Sequence, residues 1–290
     1  MLETLLERVG DGVGPLMAGA IVGVLFGASA QHSRFCLRAA TVEVAERQFG
    51  PRLSVWLIAF ATGVLCVQMA IVADMLDVSE ARQLAATGSL SGAIIGGVMF
   101  GAGMVLARGC ASRLLVLSAT GNLRAIVTGL VLTLVAQASL RGVLAPAREA
   151  LAAQWMIEGG PARDVLSLLG LSAEGAVVAA AILLGVGCFL ARRGGVQATR
   201  AIAAGLVGGA VALGWFLTYW IAQTSFEVVP LTSVTFTGPS TDTLMGLVNS
   251  TEIPLSFGFG LVPGVFAGAG LMALLAKEAK IERFGADTPM

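Results

Sequence analysis

An arginine followed two positions later by a cysteine occurs twice in this chain, as Arg34 with Cys36 and as Arg108 with Cys110. Arginine carries a permanent positive charge and a planar fork of N–H donors, which suits it to attract an anion. A thiol is a weak S–H donor and, when ionised, a nucleophile. Each pair therefore predicts either attraction of an anion toward a thiol or covalent thiol chemistry. The alternative is that both arginines simply mark the ends of apolar helices.

The two pairs lie in segments that match each other. 23-GVLFGASAQHSRFC-36 and 97-GVMFGAGMVLARGC-110 align without gaps and share seven of fourteen residues at an offset of 74. Because Cys36 and Cys110 occupy equivalent places in a repeated motif, both are candidate functional thiols.

The other cysteines and the single histidine offer little further chemistry. Cys66 and Cys188 each stand alone in an apolar segment, which favours the role of a small hydrophobic residue. No CxxC pair occurs, so a dithiol redox site or a structural zinc site is not expected. His32 has no second histidine to help it hold a metal and is expected at the membrane interface. The sequence predicts neither a metal nor a cofactor.

The composition is that of an integral membrane protein. Hydrophobic residues make up 56% of the 290 and charged residues only 12%, with a mean hydropathy of +0.86. A soluble domain would need more charge to cover its surface. The sequence contains seven apolar runs of about the length that crosses a bilayer, and the fourth is short, which favours a tilted or partly buried segment. The runs are Val13 to Ala30, Leu53 to Ala73, Leu90 to Ala107, Ala125 to Leu140, Gly175 to Ala191, Ala201 to Ala222 and Phe257 to Ala276.

The placement of charge predicts the orientation in the membrane. The chain starts with the acidic segment MLETLLERVGDG, unlike a basic secretory signal, so the first apolar run is expected to remain in the mature protein. With the N-terminus outside, thirteen of the eighteen Lys and Arg residues fall in inner segments, as the positive-inside rule requires. We therefore predict an outside N-terminus. No basic cluster is interleaved with aromatic residues, so nucleic acid is not an expected partner.

The chain is predicted to form one transmembrane domain over residues 1–290, built partly by duplication. The repeat units cover about 13–73 and 90–140, and the motif helices are the first and third spans, two spans apart, which gives both copies one orientation. The C-terminal half, about 175–290, contains 258-GFGLVPGVFAGAG-270, but no Arg-x-Cys pair follows it. Glycines at four-residue spacing predict helices whose backbones pack closely in lipid. They are Gly88, Gly92, Gly96, Gly97, Gly101, Gly260, Gly264 and Gly268.

Two segments are unlike plain spans. The run 111-ASRLLVLSATGNLR-124 is too short to span and predicts a re-entrant or interfacial half-helix. The run 230-PLTSVTFTGPSTDTLMGLVNSTEIP-254 is rich in hydroxyls and broken by Gly238-Pro239, and it predicts a segment that dips into a polar cavity. A third segment, AREALAAQWM, predicts an amphipathic surface helix. The expected fold is an all-α integral membrane protein, a multi-span helical bundle with internal repeats and re-entrant half-helices or loops.

With these features the chain resembles the YeeE/YedE family of bacterial sulfur transporters. The resemblance rests on 35-FCLR-38, on 96-GGVMFGAGMVLARGCASRLLV-116 and on 234-VTFTGPSTDTLM-245. It implies uptake of thiosulfate, or a related sulfur or selenium compound, across the bacterial inner (cytoplasmic) membrane through a bundle of about nine spans. Family members usually end in a further glycine-rich helix, a Gly-Cys motif and a final span. The resemblance therefore implies that the family's last spans are lacking here or are supplied by a second subunit.

The resemblance also implies a narrow path lined by Cys36 and Cys110, whose thiols relay the substrate through weak S–H contacts. To these we add Arg34 and Arg108, whose charges would attract the anion. Expected partners are a thiosulfate-like anion, membrane lipid and, by resemblance, a small TusA-like cytoplasmic sulfur carrier protein. The hydroxyls predicted to bind the oxyanion end belong to Thr235, Thr237, Ser240 and Thr241.

Two alternatives to a transporter stay open at this point. The first is a membrane thiol enzyme, a sulfurtransferase that passes sulfane sulfur through a cysteine persulfide. The second is a structural membrane subunit without chemistry of its own. A transporter rather than an enzyme is the prediction.

Overall fold

The computed structural model describes residues 12–225, 228–249 and 255–282. The described residues are mostly helical. Predictions that concern residues 1–11, 250–254 and 283–290 lie outside the described residues. The helices are α1 Val13–Ser33, α2 Leu37–Ala45, α3 Pro51–Val72, α4 Arg82–Ala85, α5 Leu90–Leu106, α6 Ala111–Ala119, α7 Leu123–Arg141, α8 Ala145–Ala152, α9 Val165–Leu169, α10 Ala173–Arg193, α11 Ala198–Thr224, α12 Thr237–Asn249 and α13 Phe257–Leu275.

Named β-strands in the described residues are limited to one small ribbon. Strand β1, Gly88–Ser89, pairs antiparallel with β2, Met156–Ile157. A 3₁₀ turn at Gly160–Arg163 follows β2. The ribbon joins the start of α5 to the segment after α8. Helix α8 itself forms where the amphipathic surface helix was predicted.

Seven helical stretches within the described ranges are long and apolar enough to cross a membrane. They coincide with the seven apolar runs of the sequence, which confirms the prediction of an all-α, multi-pass membrane protein. They are Val13–Ala45, Pro51–Val72, Leu90–Ala119, Leu123–Arg141, Ala173–Arg193, Ala198–Thr224 and Phe257–Leu275.

The fourth span is longer than its prediction. α7 has 19 residues, about 28 Å at 1.5 Å per residue, and most of its residues are half-buried. The apolar run predicted from the sequence is shorter than the helix because Arg124 and Arg141 interrupt it at the two ends. The side chain of Asn122 accepts a hydrogen bond from the Ala125 amide and so fixes where the helix begins.

The duplicated sequence motif folds twice into the same backbone. α1 ends at Arg34, which has a left-handed φ of 56°, and Cys36 then begins the nine-residue α2. α5 ends in the same way before Arg108, also with φ 56°, and Cys110 begins the nine-residue α6. The two short helices begin 74 residues apart in the sequence. Each copy consists of a long helix, an arginine with left-handed backbone conformation, a cysteine and a half-length helix.

The closest helix packing in the bundle is between α1 and α13. Each helix presents glycines to the backbone of the other, so that a Cβ atom at Gly23 would overlap the carbonyl oxygen of Leu261. A Cβ atom at Gly264 would lie 2.6 Å from the carbonyl oxygen of Ala20. Packing between backbones is how helices associate in lipid, where burial of apolar surface supplies little drive. The glycines in this contact are Gly19, Gly23 and Gly27 on α1 and Gly260, Gly264 and Gly268 on α13.

The remaining helices extend from this pair. α11 packs against α1 and α3, and α10 packs against α3. On the other side, α6 and α12 pack against α13, while α7 packs against α6 and α12. α5 contacts mainly α8 and β2.

The predicted close packing of glycines is confirmed for α13 and wrong for α5. A Cβ atom at Gly96, Gly97 or Gly101 would meet nothing within 4 Å, because no described helix lies against that face. Gly88 and Gly92 contact side chains of Arg163 and Ser89 rather than another helix backbone. The same four-residue spacing therefore serves packing in one copy of the motif and leaves an open surface in the other.

Substitution of matched glycines tests the α1–α13 contact. Gly23→Ala places a methyl group in the carbonyl of Leu261 and should destabilise the protein by roughly 1–3 kcal/mol. Gly97→Ala, at the equivalent repeat position, should leave stability unchanged or raise it by up to about 1 kcal/mol, because alanine favours helix and the space is open. Thermal unfolding in detergent, followed by tryptophan fluorescence, measures both. Equal shifts for the two variants would contradict the packing described.

Candidate functional site

The two candidate thiols stand at equivalent helix breaks. Cys110 is the residue before α6, is only 8% exposed, and has its sulfur 3.2 Å from the hydroxyl oxygen of Ser112. Cys36 is the residue before α2 and is half-buried. α1 makes a small contact with α6, and both thiols lie within electrostatic range of one side chain, that of Arg113.

Arg113 connects the two thiols electrostatically. Its guanidinium lies within electrostatic range of both Cys36 and Cys110, and also of Arg34 and Arg52. Its Nη1 atom is buried and has no hydrogen-bond partner among the described residues. In the sequence, this residue stands out only as one of the inner-side basic residues. The sequence feature that could have indicated Arg113 is its position three residues after Cys110, at the same helix break.

The arginines of the two Arg-x-Cys pairs are more exposed than the thiols. The Arg34 side chain is 43% exposed and forms an ion pair with Glu278, with 3.0 Å between Nη2 and Oε1. Gln31 also donates to Glu278, at 3.0 Å. Arg108 is exposed. The charge of Arg34 is thus partly neutralised by the segment that follows α13.

The hydroxyl-rich segment enters the bundle and is held there by α11. Residues 228–236 are non-helical, and the Ser233 hydroxyl donates to the carbonyl of Val211 at 2.6 Å. The Thr218 hydroxyl donates to the carbonyl of Thr232 at 2.7 Å. Non-helical backbone within a membrane protein is tolerated where protein surrounds it and satisfies its polar groups.

The predicted break at Gly238-Pro239 is wrong. Both residues lie in the first turn of α12, where a helix does not need the N–H that proline lacks. The second half of the predicted irregular segment is therefore a half-length helix. The side chains of Thr235 and Thr237 are exposed, whereas Thr241 is fully buried and donates to the carbonyl of Thr237.

A cavity of about 320 Å³ lies between α6, α7, α12 and α13. Its wall begins at Ala111, the residue after Cys110, and includes Ser240, the one predicted hydroxyl residue that lines it. Thr243, which belongs to 234-VTFTGPSTDTLM-245 but is not among the predicted hydroxyl residues, also lines the cavity. Its buried hydroxyl has no hydrogen-bond partner in the described part of the chain. The rest of the lining is largely apolar.

The other two cysteines are placed away from this site. Cys66 on α3 and Cys188 on α10 are exposed. Within the described ranges, no group of three His, Cys, Asp or Glu residues is arranged to hold a metal ion.

Comparison with protein families decides the class of this molecule. The model of a family described as sulphur transport matches residues 32–290, which is nearly the whole chain. The chain belongs to the sulphur transport (YeeE/YedE) family. A comparison with curated proteins finds none that matches it. Family membership gives this sulphur transport protein a role in moving a sulfur compound, and it assigns no enzymatic activity.

The hydroxyls of this sulphur transport protein allow a matched test of how its non-helical segment is held. Thr218→Val removes the donor to Thr232 and should destabilise the protein by about 1–3 kcal/mol, because buried backbone groups lose their partner. Thr243→Val removes a buried hydroxyl that is already unpaired in the described part of the chain and should be neutral or slightly stabilising. Thermal unfolding of the two variants side by side measures the difference, and a smaller loss for Thr218→Val than for Thr243→Val would refute it.

Proposed function

We propose that this protein takes up thiosulfate, or a closely related sulfur-containing anion, across the bacterial cytoplasmic membrane. The observation that carries the proposal is the placement of Cys36 and Cys110. In a member of a sulphur transport family, the two thiols of a repeated motif lie at helix breaks around a common guanidinium. The N-terminus is outside and the arginine-rich breaks face the cytoplasm, as the distribution of basic residues favours.

Thiols suit the passage of thiosulfate because their contacts are weak. A neutral S–H group donates a weak hydrogen bond to the terminal sulfur of the anion, and two such groups in succession provide a site that is easy to enter and easy to leave. Conduction requires this balance, since a strong single site would trap the anion. The path therefore uses unmodified Cys36 and Cys110 rather than a covalent intermediate.

Charges and hydroxyls complete the path. Arg34 and Arg108 attract the anion toward the two breaks, with the Arg34 charge moderated by Glu278. Ser240 faces the cavity beside Cys110 and offers a hydroxyl to the oxyanion end. The other hydroxyl contacts proposed for the anion are those of Thr235, Thr237 and Thr241. A small TusA-like sulfur carrier on the cytoplasmic side and membrane lipid are the proposed partners.

Replacement of single cysteines tests the path. With thiosulfate as the sole sulfur source for a sulfur-auxotrophic host, Cys36→Ala and Cys110→Ala should each lower uptake by about tenfold or more. The reason is that each removes a specific donor to a charged ligand. Cys66→Ala and Cys188→Ala are the matched controls, because both thiols are exposed on other helices. Equal growth of all four variants, at equal protein levels in the membrane, would rule the thiol path out.

Mass spectrometry distinguishes this path from sulfur transfer. In the covalent alternative, a cysteine sulfur attacks the sulfane sulfur of thiosulfate and forms an S–S bond. The bond from sulfane sulfur to sulfonate then breaks, sulfite leaves with the electron pair, and the thiol proton stays on the persulfide or passes to water. A stable increase of one sulfur atom on Cys36 or Cys110 after exposure to thiosulfate would favour the sulfurtransferase. An unchanged mass is expected for transport.

A further inference from the structure

We propose that Arg113 binds the oxyanion end of the transported anion, while Cys36 and Cys110 face its terminal sulfur. The inference rests on the proposed function and deepens it, because it names the residue that holds the charge of the substrate.

The first argument is the unpaired donor. Arg113 Nη1 is buried and has no hydrogen-bond acceptor in the described part of the chain. A buried donor without a partner is costly, and the cost is greater for a charged group. An anion with several oxygen atoms supplies the missing acceptor.

The second argument is the position of Arg113 within a membrane-spanning stretch. The residue belongs to the stretch Leu90–Ala119, in the half-length helix after the break. An arginine at such a place faces the bundle interior or a water-filled cavity and usually has a partner, and it marks an ion or substrate pathway.

The third argument is the set of charges around Arg113. The groups that act most strongly on its guanidinium are the thiols Cys36 and Cys110 and the arginines Arg34 and Arg52, none of which is a carboxylate. Three other arginines differ in this respect. Arg34, Arg141 and Arg148 each form an ion pair, with Glu278, Asp242 and Glu149 respectively. Among the described residues, the groups recorded around the Arg113 guanidinium thus include no carboxylate counterion.

Together these observations orient the anion. A guanidinium binds oxyanions through two parallel N–H groups, which suits the three oxygen atoms of a sulfonate group. The thiols offer weaker contacts that suit a polarisable sulfur atom. The charge of thiosulfate is thus held at Arg113 while its terminal sulfur lies toward the cysteines. Sulfate carries the same oxyanion chemistry without the terminal sulfur and makes only the first contact.

Binding measurements on the purified full-length chain test the assignment. Titration calorimetry with thiosulfate and with sulfate should show that Arg113→Gln raises the Kd of both anions about tenfold or more. Arg113→Lys keeps the positive charge but loses the planar set of N–H donors, and it should raise both Kd values by at least about threefold. Arg193→Gln is the matched control, since it makes the same charge change on an exposed side chain stacked on Phe189. Cys110→Ala should weaken thiosulfate binding more than sulfate binding.

The outcomes separate this inference from the proposed function. An unchanged Kd for thiosulfate in folded Arg113→Gln overturns the inference, and so does an unchanged Kd in Arg113→Lys if the glutamine variant does not fold. Failure of the wild type to bind either anion overturns it as well. Uptake of radiolabelled thiosulfate by proteoliposomes is measured in parallel. Wild-type binding that depends on Arg113, without any uptake, supports the anion site and rejects transport. Uptake that is equal in the wild type and in Arg113→Gln supports transport and rejects the proposed anion site.

Discussion

Backbone contact between α1 and α13 is the interaction on which the rest of the bundle depends. Lipid offers helices little hydrophobic reason to associate, so close approach of backbones must supply the attraction, and only glycine permits it here. α1 is also the helix against which α11 packs, and α11 in turn holds α3 and the non-helical segment that carries Ser233. Loss of the α1–α13 contact would therefore separate the two sides of the molecule.

The same contact places the chain after α13 between the helix break at the end of α1 and the turn that follows α6. Glu278 accepts hydrogen bonds from Gln31 and Arg34 at the end of α1. A few residues later, the Lys280 amide donates to the carbonyl of Thr120, and Glu282 pairs with the turn that follows α6. One short segment thus ties the break that bears Cys36 to the half-helix that begins after Cys110. The relative position of the thiols follows from helix packing more than from any contact between the thiols themselves.

The sequence predicts what is local and misses what depends on a neighbour. Apolar length and the repeated motif predict the spans and the two breaks, because hydropathy and spacing are properties of the segment itself. Gly97 and Gly23 have similar local sequences, yet Gly97 is open and Gly23 is packed, since α1 lies against α13 whereas no described helix lies against that face of α5. Gly238-Pro239 has the composition of a break, but proline is equally suited to the first turn of a helix such as α12. Arg113 follows Cys110 by three residues but is distant in sequence from Cys36, so no local pattern indicates that it lies within electrostatic range of both thiols.

A cluster of Arg34, Arg52 and Arg113 beside two thiols is an unfavourable arrangement when considered alone. Like charges repel more strongly in a poorly solvated interior than in water, and the unpaired Nη1 of Arg113 adds the cost of a buried donor among the described residues. Natural proteins keep such arrangements at functional sites and offset them elsewhere in the structure. The anion proposed to bind in this cluster would relieve both costs, so its binding and the stability of the bundle would be coupled in the same direction.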